Sequence, residues 1–281
     1  MTLFRCIAAA ITAAVLAAPA ASAESADLAA LQVALRAKGL YLATVDGVRG
    51  PQTAEAVRRF QAREGLPADG IAGPATRRAL GRRGRPRLGT RALVAGARGW
   101  DVAALQFLLG THGFPSGALD GGLGPRTDAA LRRFQAWAGL AVDGVAGPAT
   151  LARLRRPPPT SPLVFALPVP APAGDRFGPR GDRFHTGVDF PVRGGTPVAA
   201  AGRGCVSFAG PSVGGYGKLV VIQHRLGVTS WYGHLSAITV ARGRCVLAGD
   251  RIGRAGATGR ATGPHVHLEL RLRGAAVPPR F

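Results

Sequence analysis

The first half of the chain repeats itself at a constant offset of 74 residues, so that Leu105 stands 74 positions after Leu31. Six short motifs recur in the same order and without a gap. The pairs are Leu31-Gln32 with Leu105-Gln106, Asp46-Gly47 with Asp120-Gly121, Gly50-Pro51-x-Thr53 with Gly124-Pro125-x-Thr127, Phe60-Gln61 with Phe134-Gln135, Asp69-Gly70 with Asp143-Gly144, and Gly73-Pro74-Ala75-Thr76 with Gly147-Pro148-Ala149-Thr150. An ungapped duplication predicts two copies of one small structural unit.

Each unit is predicted to contain three short helices. Leu28, Leu31 and Leu35 fall on one helical face, and Gly39 follows as a helix stop. Pro51 stands where a helix begins, because the first helical residue tolerates a missing N–H. Helices this short are not stable alone, so their apolar faces must pack into a small bundle.

The pattern DGxxGPxT…FQ…DGxxGPAT resembles the peptidoglycan-binding domains of bacterial cell-wall hydrolases, over about residues 26–82 and 98–155. The resemblance implies peptidoglycan as the ligand. The residue pattern alone leaves open two helical bundles with another ligand or none. Its residues are turn glycines, helix-starting prolines and core side chains, so they identify no ligand contact.

The N-terminus predicts export. Residues 1–23 have the layout of a signal peptide, with Arg5, the apolar run Ile7 to Ala18, and the small residues Ala21-Ser22-Ala23 before Glu24. The alternative is an uncleaved anchor, although the run is short for a membrane span. We expect a mature protein that is secreted to the cell wall or periplasm, with no stable membrane insertion after cleavage.

The charge is strongly basic. Lys+Arg 36 against Asp+Glu 15 leaves a formal net charge of +21, nearly all of it from arginine. An exported protein of this charge is expected to adhere to anionic wall polymers. Arginine-rich codon usage is a second explanation. Nucleic acid is not expected as a partner, because no basic helix is interleaved with aromatic residues and export argues against it.

Two predicted linkers divide the chain into three domains. Residues 83–97 and the proline-rich residues 156–173 are predicted linkers between repeat 1 (24–82), repeat 2 (98–155) and a last domain at 174–281.

Cys205 and Cys245 remain after signal cleavage, an even number in an oxidising compartment, which predicts a disulfide. Two small buried thiols are the alternative.

From Phe177 onward, short β-branched or alternating runs bounded by glycine and proline predict strands, for example at 205–208, 219–222 and 266–272. The predicted fold class is therefore multidomain α plus β. Two small three-helix peptidoglycan-binding bundles precede a mainly antiparallel-β domain.

Five of the six histidines lie between 185 and 267; the sixth, His112, corresponds to Lys38 of the first repeat and is expected at the surface. His265 and His267 are two apart on a strand, so their side chains share one face about 7 Å apart. His185 lies four residues before Asp189 in an extended or looped segment, and His234 is a further contributor. A lone His-x-His is ordinary, but together these residues indicate a zinc site with three protein ligands and an open position.

The motifs of this last domain resemble the lysostaphin-type zinc metallopeptidases, which cut peptide bonds in bacterial cell walls. The matching motifs are Phe177-Gly178-x-Arg180, His185-x-Gly187-x-Asp189, Gly215-Tyr216-Gly217, Tyr232-x-His234-Leu235-Ser236 and Thr258-Gly259-x-x-Thr262-Gly263-Pro264-His265-x-His267. The resemblance covers about residues 174–279. It implies that His185, Asp189 and His267 bind Zn²⁺ and that His234 and His265 are the catalytic histidines.

Four further residues are assigned less directly. Arg180 and Tyr216 are motif residues that are candidates for lining the substrate cleft. His224 is expected to be structural, since three ligands already fill the zinc site. Glu269 shares a strand face with His267 and is either a partner of that ligand or an edge carboxylate.

Three functions are compatible with these features. The first is an exported zinc endopeptidase that hydrolyses peptidoglycan cross-links and is targeted by its repeats. The second is a non-catalytic wall adaptor, or an activator of other hydrolases, on the same fold. The third is a binding protein with purely structural zinc. The full set of five site residues favours the enzyme, and a three-ligand site with an open position argues against the third.

Overall fold

A computed structural model describes residues 23–281. The predicted signal peptide, residues 1–23, lies outside them apart from its last residue. Among the described residues, none of the helices is both long enough and apolar enough to cross a membrane.

The N-terminal half contains the three helices per repeat that the sequence predicts, followed in repeat 1 by a 3-10 turn at Gly81–Gly84. The helices are α1 (Ala23–Arg36), α2 (Pro51–Arg63), α3 (Pro74–Ala79), α4 (Trp100–Thr111), α5 (Pro125–Ala138) and α6 (Pro148–Leu154). Four of the six begin with proline at the first position, as the GPxT motifs predict.

The repeated Gln, Asp-Gly and Thr residues form one hydrogen-bond network that occurs four times. In the first copy the amide of Gln32 donates to Asp46 Oδ1 (2.8 Å) and to Thr53 Oγ1 (3.2 Å), and its carbonyl accepts the N–H of Gly47 (2.9 Å). The buried glutamines at the centre of the four networks are Gln32, Gln61, Gln106 and Gln135. Each glutamine thus joins a turn to the following helix, so the motif residues are structural.

The two repeats share one hydrophobic core. Helix α1 packs against α4, and residues from both repeats, such as Leu35 and Leu105, belong to a single buried cluster. One prediction is wrong here, because His112 is fully buried. Its ring nitrogens lie 2.9 Å from Leu108 O and 3.2 Å from Arg156 O. The chain leaving α6 covers this position in repeat 2, whereas Lys38 of repeat 1 is exposed.

The C-terminal half is built from short antiparallel strands, as predicted. They are β1 (Gly178–Arg180), β2 (Arg183–His185), β3 (Val188–Pro191), β4 (Pro197–Ala199), β5 (Gly204–Ser212), β6 (Gly217–Gln223), β7 (Val228–Leu235), β8 (Ala237–Ile238), β9 (Cys245–Val246), β10 (Arg251–Arg254), β11 (His265–Leu272) and β12 (Ala275–Val277). The main sheet has the order β12-β11-β7-β6-β5-β9, and β3 also pairs with β11. A second sheet is β4-β10-β8, and β1 and β2 form a hairpin.

The predicted disulfide is confirmed. Cys205 and Cys245 are direct neighbours across the β5–β9 pair, and their side chains form a disulfide. Strand β9 has only two residues, so the covalent bond fixes a short edge strand to the main sheet.

Removing this disulfide is expected to lower the free energy of unfolding by about 3–4 kcal/mol, because the bond closes a loop of 40 residues in the unfolded chain. Urea denaturation of the wild type with and without reductant measures the loss. The double variant Cys205→Ala/Cys245→Ala is the control, since reductant should not affect it. Equal stability of oxidised and reduced wild type would contradict the expectation.

Candidate metal centre and active site

Strand β11 organises the site because it pairs with two strands that carry other candidate residues. His267 lies directly opposite Asp189 of β3 and opposite Gly233 of β7. His265 and His267 share one face of β11, as the alternation predicts. His234 lies near the end of β7, one residue after Gly233. The antiparallel register therefore brings residues from distant parts of the chain to one point.

His185, Asp189 and His267 form a cluster with the composition of a metal site. One potential ligand atom from each lies within 4.8 Å of the others. Asp189 Oδ1 is 3.2 Å from His185 Nε2 and 2.8 Å from His267 Nδ1, and the two ring nitrogens are 3.1 Å apart. Both histidines are buried, with 5% and 6% of their surface exposed.

The partners of the two rings direct their lone pairs into this cluster. His185 Nδ1 lies 3.0 Å from the carbonyl of Arg176, which only accepts, so the proton is on Nδ1 and the lone pair is on Nε2. His267 Nε2 lies 3.3 Å from Glu269 Oε2, which favours a proton on Nε2 and, in the neutral ring, a lone pair on Nδ1. Two imidazole lone pairs and a carboxylate oxygen therefore converge, and this donor set fits a divalent metal ion.

His234 and His265 lie beside the cluster, with ring centroids 4.6 Å apart. Each Nδ1 lies 2.8 Å from a backbone carbonyl, that of Thr258 for His234 and that of Gly263 for His265. In the neutral rings both protons are therefore on Nδ1 and both Nε2 atoms can accept a proton. His265 Nε2 is 3.8 Å from Asp189 Oδ1. Burial lowers the pKa of His234, which keeps its ring neutral near pH 7.

His234 is also held in an unusual backbone conformation, with a φ of 62°. Its N–H donates to the carbonyl of Tyr216 (2.7 Å). A non-glycine residue with positive φ costs free energy and is retained where the surrounding structure requires it. This conformation occurs near the end of β7, where the His234 ring lies against the His265 ring.

Glu269 is fully buried and accepts hydrogen bonds from four side chains. The donors are Thr186, Tyr216, His267 and Arg271. Burial alone would raise the pKa of Glu269, but the bond from His267 and the charge of Arg271 lower it to about 2. Of the two sequence interpretations, the edge carboxylate is therefore wrong, and Glu269 is a partner of His267, whose role as a ligand stays a prediction.

Thr186 and Arg271 are parts of this network that were not predicted from the sequence. The strand alternation contained a signal for Arg271, because residues 265, 267, 269 and 271 share one face of β11. The guanidinium of Arg271 also lies 3.9 Å from the ring centroid of Trp231 on the neighbouring strand. This stacking fixes the cation that partners Glu269.

Arg180 contacts Asp189 of the cluster, and Tyr216 contacts Glu269, the partner of His267. Arg180 donates to Asp175 Oδ2 (2.7 Å) and to Asp189 Oδ2 (3.2 Å), the carboxylate oxygen that does not face His267. The Tyr216 hydroxyl donates to Glu269 (2.7 Å), and burial raises its pKa. Their assignment to the substrate cleft stays a prediction.

His224 lies away from the cluster. Its ring nitrogens are each 2.7 Å from a partner, the carbonyl of Arg203 and the hydroxyl of Ser230. Both nitrogens are thus used in buried hydrogen bonds. This agrees with the expectation that His224 is structural.

Metal uptake near pH 7 is expected to release about one proton per ion from the metal-free protein. Burial would lower the pKa of His267, but its bonds to Asp189 and Glu269 raise it to about 9, so the ring is charged near neutral pH. Binding through Nδ1 requires the neutral ring, so affinity should fall about tenfold for each pH unit below about 9.

Calorimetric titration in two buffers of different ionisation enthalpy measures this release. The same titration near pH 9 is the control, because about half of the His267 rings are then already neutral. Heats that do not depend on the buffer near pH 7 would contradict the expectation.

Both halves of the chain match models of known protein families. The model of peptidase family M23 matches residues 183–279, and the model of a putative peptidoglycan binding domain matches residues 24–80 and 98–154. The DD-carboxypeptidase/endopeptidase Mpg of Neisseria meningitidis is 45% identical over 120 residues, which are 42% of this chain and 27% of that protein. The peptidoglycan DD-endopeptidase ShyA of Vibrio cholerae is 47% identical over 95 residues, 33% of this chain and 21% of that protein.

Among solved structures, the catalytic domain of the antimicrobial peptidase lysostaphin from Staphylococcus simulans is 35% identical. The match covers 39% of this chain and 89% of that chain, with a TM-score of 0.38. The chain spans about a quarter of the length of the two curated relatives. The C-terminal domain is thus similar to peptidase family M23 over residues 183–279, and two stretches ahead of it are similar to a putative peptidoglycan binding domain.

Proposed function

We propose that this chain is an exported zinc-dependent endopeptidase that hydrolyses peptide cross-links of bacterial peptidoglycan. One observation carries the proposal. One potential ligand atom from each of His185, Asp189 and His267 lies within 4.8 Å of the others, beside two further histidines whose Nε2 atoms are free to accept a proton. A purely structural site has no need of the two additional acceptors.

His185, Asp189 and His267 are the proposed zinc ligands. Two imidazoles and one carboxylate suit zinc and leave a fourth position open. Zinc bound there would supply a Lewis acid that acidifies a water and polarises the scissile carbonyl. Arg180 holds the second oxygen of Asp189, so the carboxylate presents Oδ1 to the cluster.

His265 is proposed to take the proton of the attacking water, because its Nε2 lies within 3.8 Å of Asp189 Oδ1. Once protonated, the ring becomes a donor at Nε2 and can pass the proton to the leaving amine. A neutral His234 ring with its proton on Nδ1 likewise accepts at Nε2. It can donate to a developing oxyanion only after gaining a proton.

The substrate assignment is supported by both parts of the chain. The N-terminal half matches putative peptidoglycan-binding domains, and Mpg and ShyA are named as a DD-carboxypeptidase/endopeptidase and a peptidoglycan DD-endopeptidase. The similarity favours a cross-link between D-amino acids over a glycine bridge. Exposed arginines between the repeats, such as Arg82, Arg83 and Arg85, provide a positive surface for anionic wall polymers.

Digestion of purified peptidoglycan by the chain beginning at Glu24 tests the proposal. The reactions contain zinc or a chelator, and mass spectrometry identifies the released fragments. Zinc-dependent release of peptides cut at one bond is the expected result. The variant His265→Ala is the matched control, because it should bind the wall and release nothing above background.

Two other results would overturn the proposal. If the protein binds sacculi but breaks no bond with zinc restored, the non-catalytic adaptor replaces the enzyme. If cleavage survives complete removal of the metal, the zinc assignment is wrong. Sacculus binding by His265→Ala at low and high salt tests the contribution of anionic polymers, since salt weakens that attraction.

A further inference from the structure

The hairpin that carries His185 is not part of the main sheet. Strands β1 and β2 pair only with each other among the strands of residues 23–281, and their turn is Gly181-Asp182. An isolated two-stranded hairpin is marginally stable in water. Yet this one positions a proposed metal ligand at one end and Arg180 beside its turn. Something else must hold the hairpin in place.

Both repeats contact the turn of this hairpin at equivalent positions. The N–H of Val45 donates to Gly181 O (2.8 Å), and the N–H of Leu119 donates to Asp182 O (2.7 Å). Leu119 stands 74 positions after Val45, which is the offset of the duplication. Each residue immediately precedes the Asp-Gly turn of its repeat, and both are buried. We call these two residues the hairpin clamp.

Helix α4 of repeat 2 packs closely against the same hairpin. A Cβ at Gly110 would lie 2.8 Å from the ring of Phe184, which neighbours His185. Phe184 in turn packs edge-on against Phe177, with ring centroids 5.4 Å apart. Gly110 therefore allows α4 to pack directly against the hairpin. A larger side chain at this position would push the hairpin away.

Repeat 2 is also joined to the edge of the main sheet. The N–H of Ala276 donates to Gly113 O (3.2 Å), and a Cβ at Gly113 would overlap the backbone of Ala276. Ala275 belongs to the buried core of the repeats, and the indole of Trp137 donates to Leu272 O (3.2 Å). The sheet edge and the hairpin are thus fixed to the same helical body.

From these contacts we propose that the tandem repeats position the hairpin that carries His185, so that affinity at the metal site depends on the N-terminal half of the chain. Only the second part of this inference, the effect on metal affinity, rests on the proposed function. Both copies are needed, because each supplies one of the two hydrogen bonds to adjacent carbonyls of the turn. The duplication then has a second use besides wall binding.

Substitution Gly110→Ala in the full chain tests the contact with the hairpin. Alanine favours helix by about 1 kcal/mol over glycine, so any loss comes from the collision with Phe184 and not from a weaker helix. Hydrogen exchange of the metal-free protein is measured at Val45, Leu119 and residues 178–185. A chromophoric chelator then measures zinc affinity by competition.

We expect exchange at both clamp amides and across the hairpin to become at least about tenfold faster, with zinc affinity reduced about tenfold, the scale of lost ligand support. Unchanged exchange in the variant would overturn the inference. Faster exchange with unchanged zinc affinity would overturn its second part. Absence of zinc binding by the wild type would instead refute the proposed function, while the exchange result would still test the clamp.

The pair Gly113→Ala and Gly39→Ala provides a matched control. The two glycines are equivalent in the repeats and have φ values of 84° and 73°, so alanine is strained at both. Only Gly113 faces the sheet; a Cβ at Gly39 meets nothing within 4 Å. Greater loss of zinc affinity in Gly113→Ala than in Gly39→Ala is expected, and equal effects would contradict positioning by repeat 2.

Discussion

Replacing His265 with alanine is expected to lower kcat for peptidoglycan hydrolysis by about 10²–10⁴ without loss of metal binding. The ring contributes no atom to the three-residue cluster, so the proposed ligands stay in place. Its Nε2, however, is a proton acceptor close to Asp189, with Nδ1 bound to Gly263 O. Without it, the attacking water has to lose its proton to a less well placed acceptor.

The measurement combines metal content with steady-state rates on a soluble cross-linked peptide. His185→Ala is the comparison variant, because it removes a proposed ligand and should lose both metal and activity. His265→Ala should keep the metal and lose only the rate. Near-wild-type kcat in His265→Ala, or loss of its metal, would contradict the assignment. The same experiment on His234→Ala tests the neighbouring ring.

The helical half of the fold was predictable because its signals are local. The 74-residue offset, the apolar spacing and the helix-starting prolines give six helices, and the structure contains them. The shared core of the two repeats was not predictable, since nothing local says which surface of α1 meets α4. The prediction that His112 is exposed was wrong for a similar reason. Its burial depends on a non-local contact with Arg156, 44 residues away along the chain.

The site was predictable to a similar extent. Alternation on β11 places His265 and His267 on one face, and the family motifs supply the other residues. Two properties depend on contacts that sequence spacing does not encode. One is the tautomer of the His185, His234 and His265 rings, which backbone carbonyls such as Thr258 O fix. The other is the hairpin clamp, which joins residues more than 60 positions apart.

Replacing Glu269 with alanine is expected to have a large effect on both stability and metal affinity. The carboxylate accepts from four side chains inside the domain, so its loss leaves Arg271 without its anionic partner. Breaking a buried pair costs about 3–5 kcal/mol, and the lower end applies because the Arg271 side chain is 28% exposed. Metal affinity should fall about 10–100-fold, since His267 loses the acceptor that orients its ring.

The variant Glu269→Gln separates orientation of the ring from charge. Glutamine fills the same space and its carbonyl can still accept from His267 Nε2. If Glu269 acts by orienting the ring, Glu269→Gln should keep metal affinity within about tenfold of the wild type, while Glu269→Ala loses more. Equal losses in the two variants would show that the negative charge, and not the ring orientation, supports the ligand.

Acid provides the second test of Glu269, because its pKa is lowered to about 2 from an ordinary value of 4.5. A carboxyl with a lowered pKa stabilises the folded state above its unfolded pKa, and this contribution disappears as the pH falls toward the folded value. The difference in unfolding free energy between metal-free wild type and Glu269→Gln should therefore be full between about pH 4.5 and about pH 6.5 and shrink toward pH 2. It should also decrease as the pH rises toward about 9, because His267 then loses the proton that Glu269 helps to hold. Urea denaturation at several pH values measures it. A difference that grows in acid would mean that Glu269 is held protonated, and then it could not accept from all four of its partners.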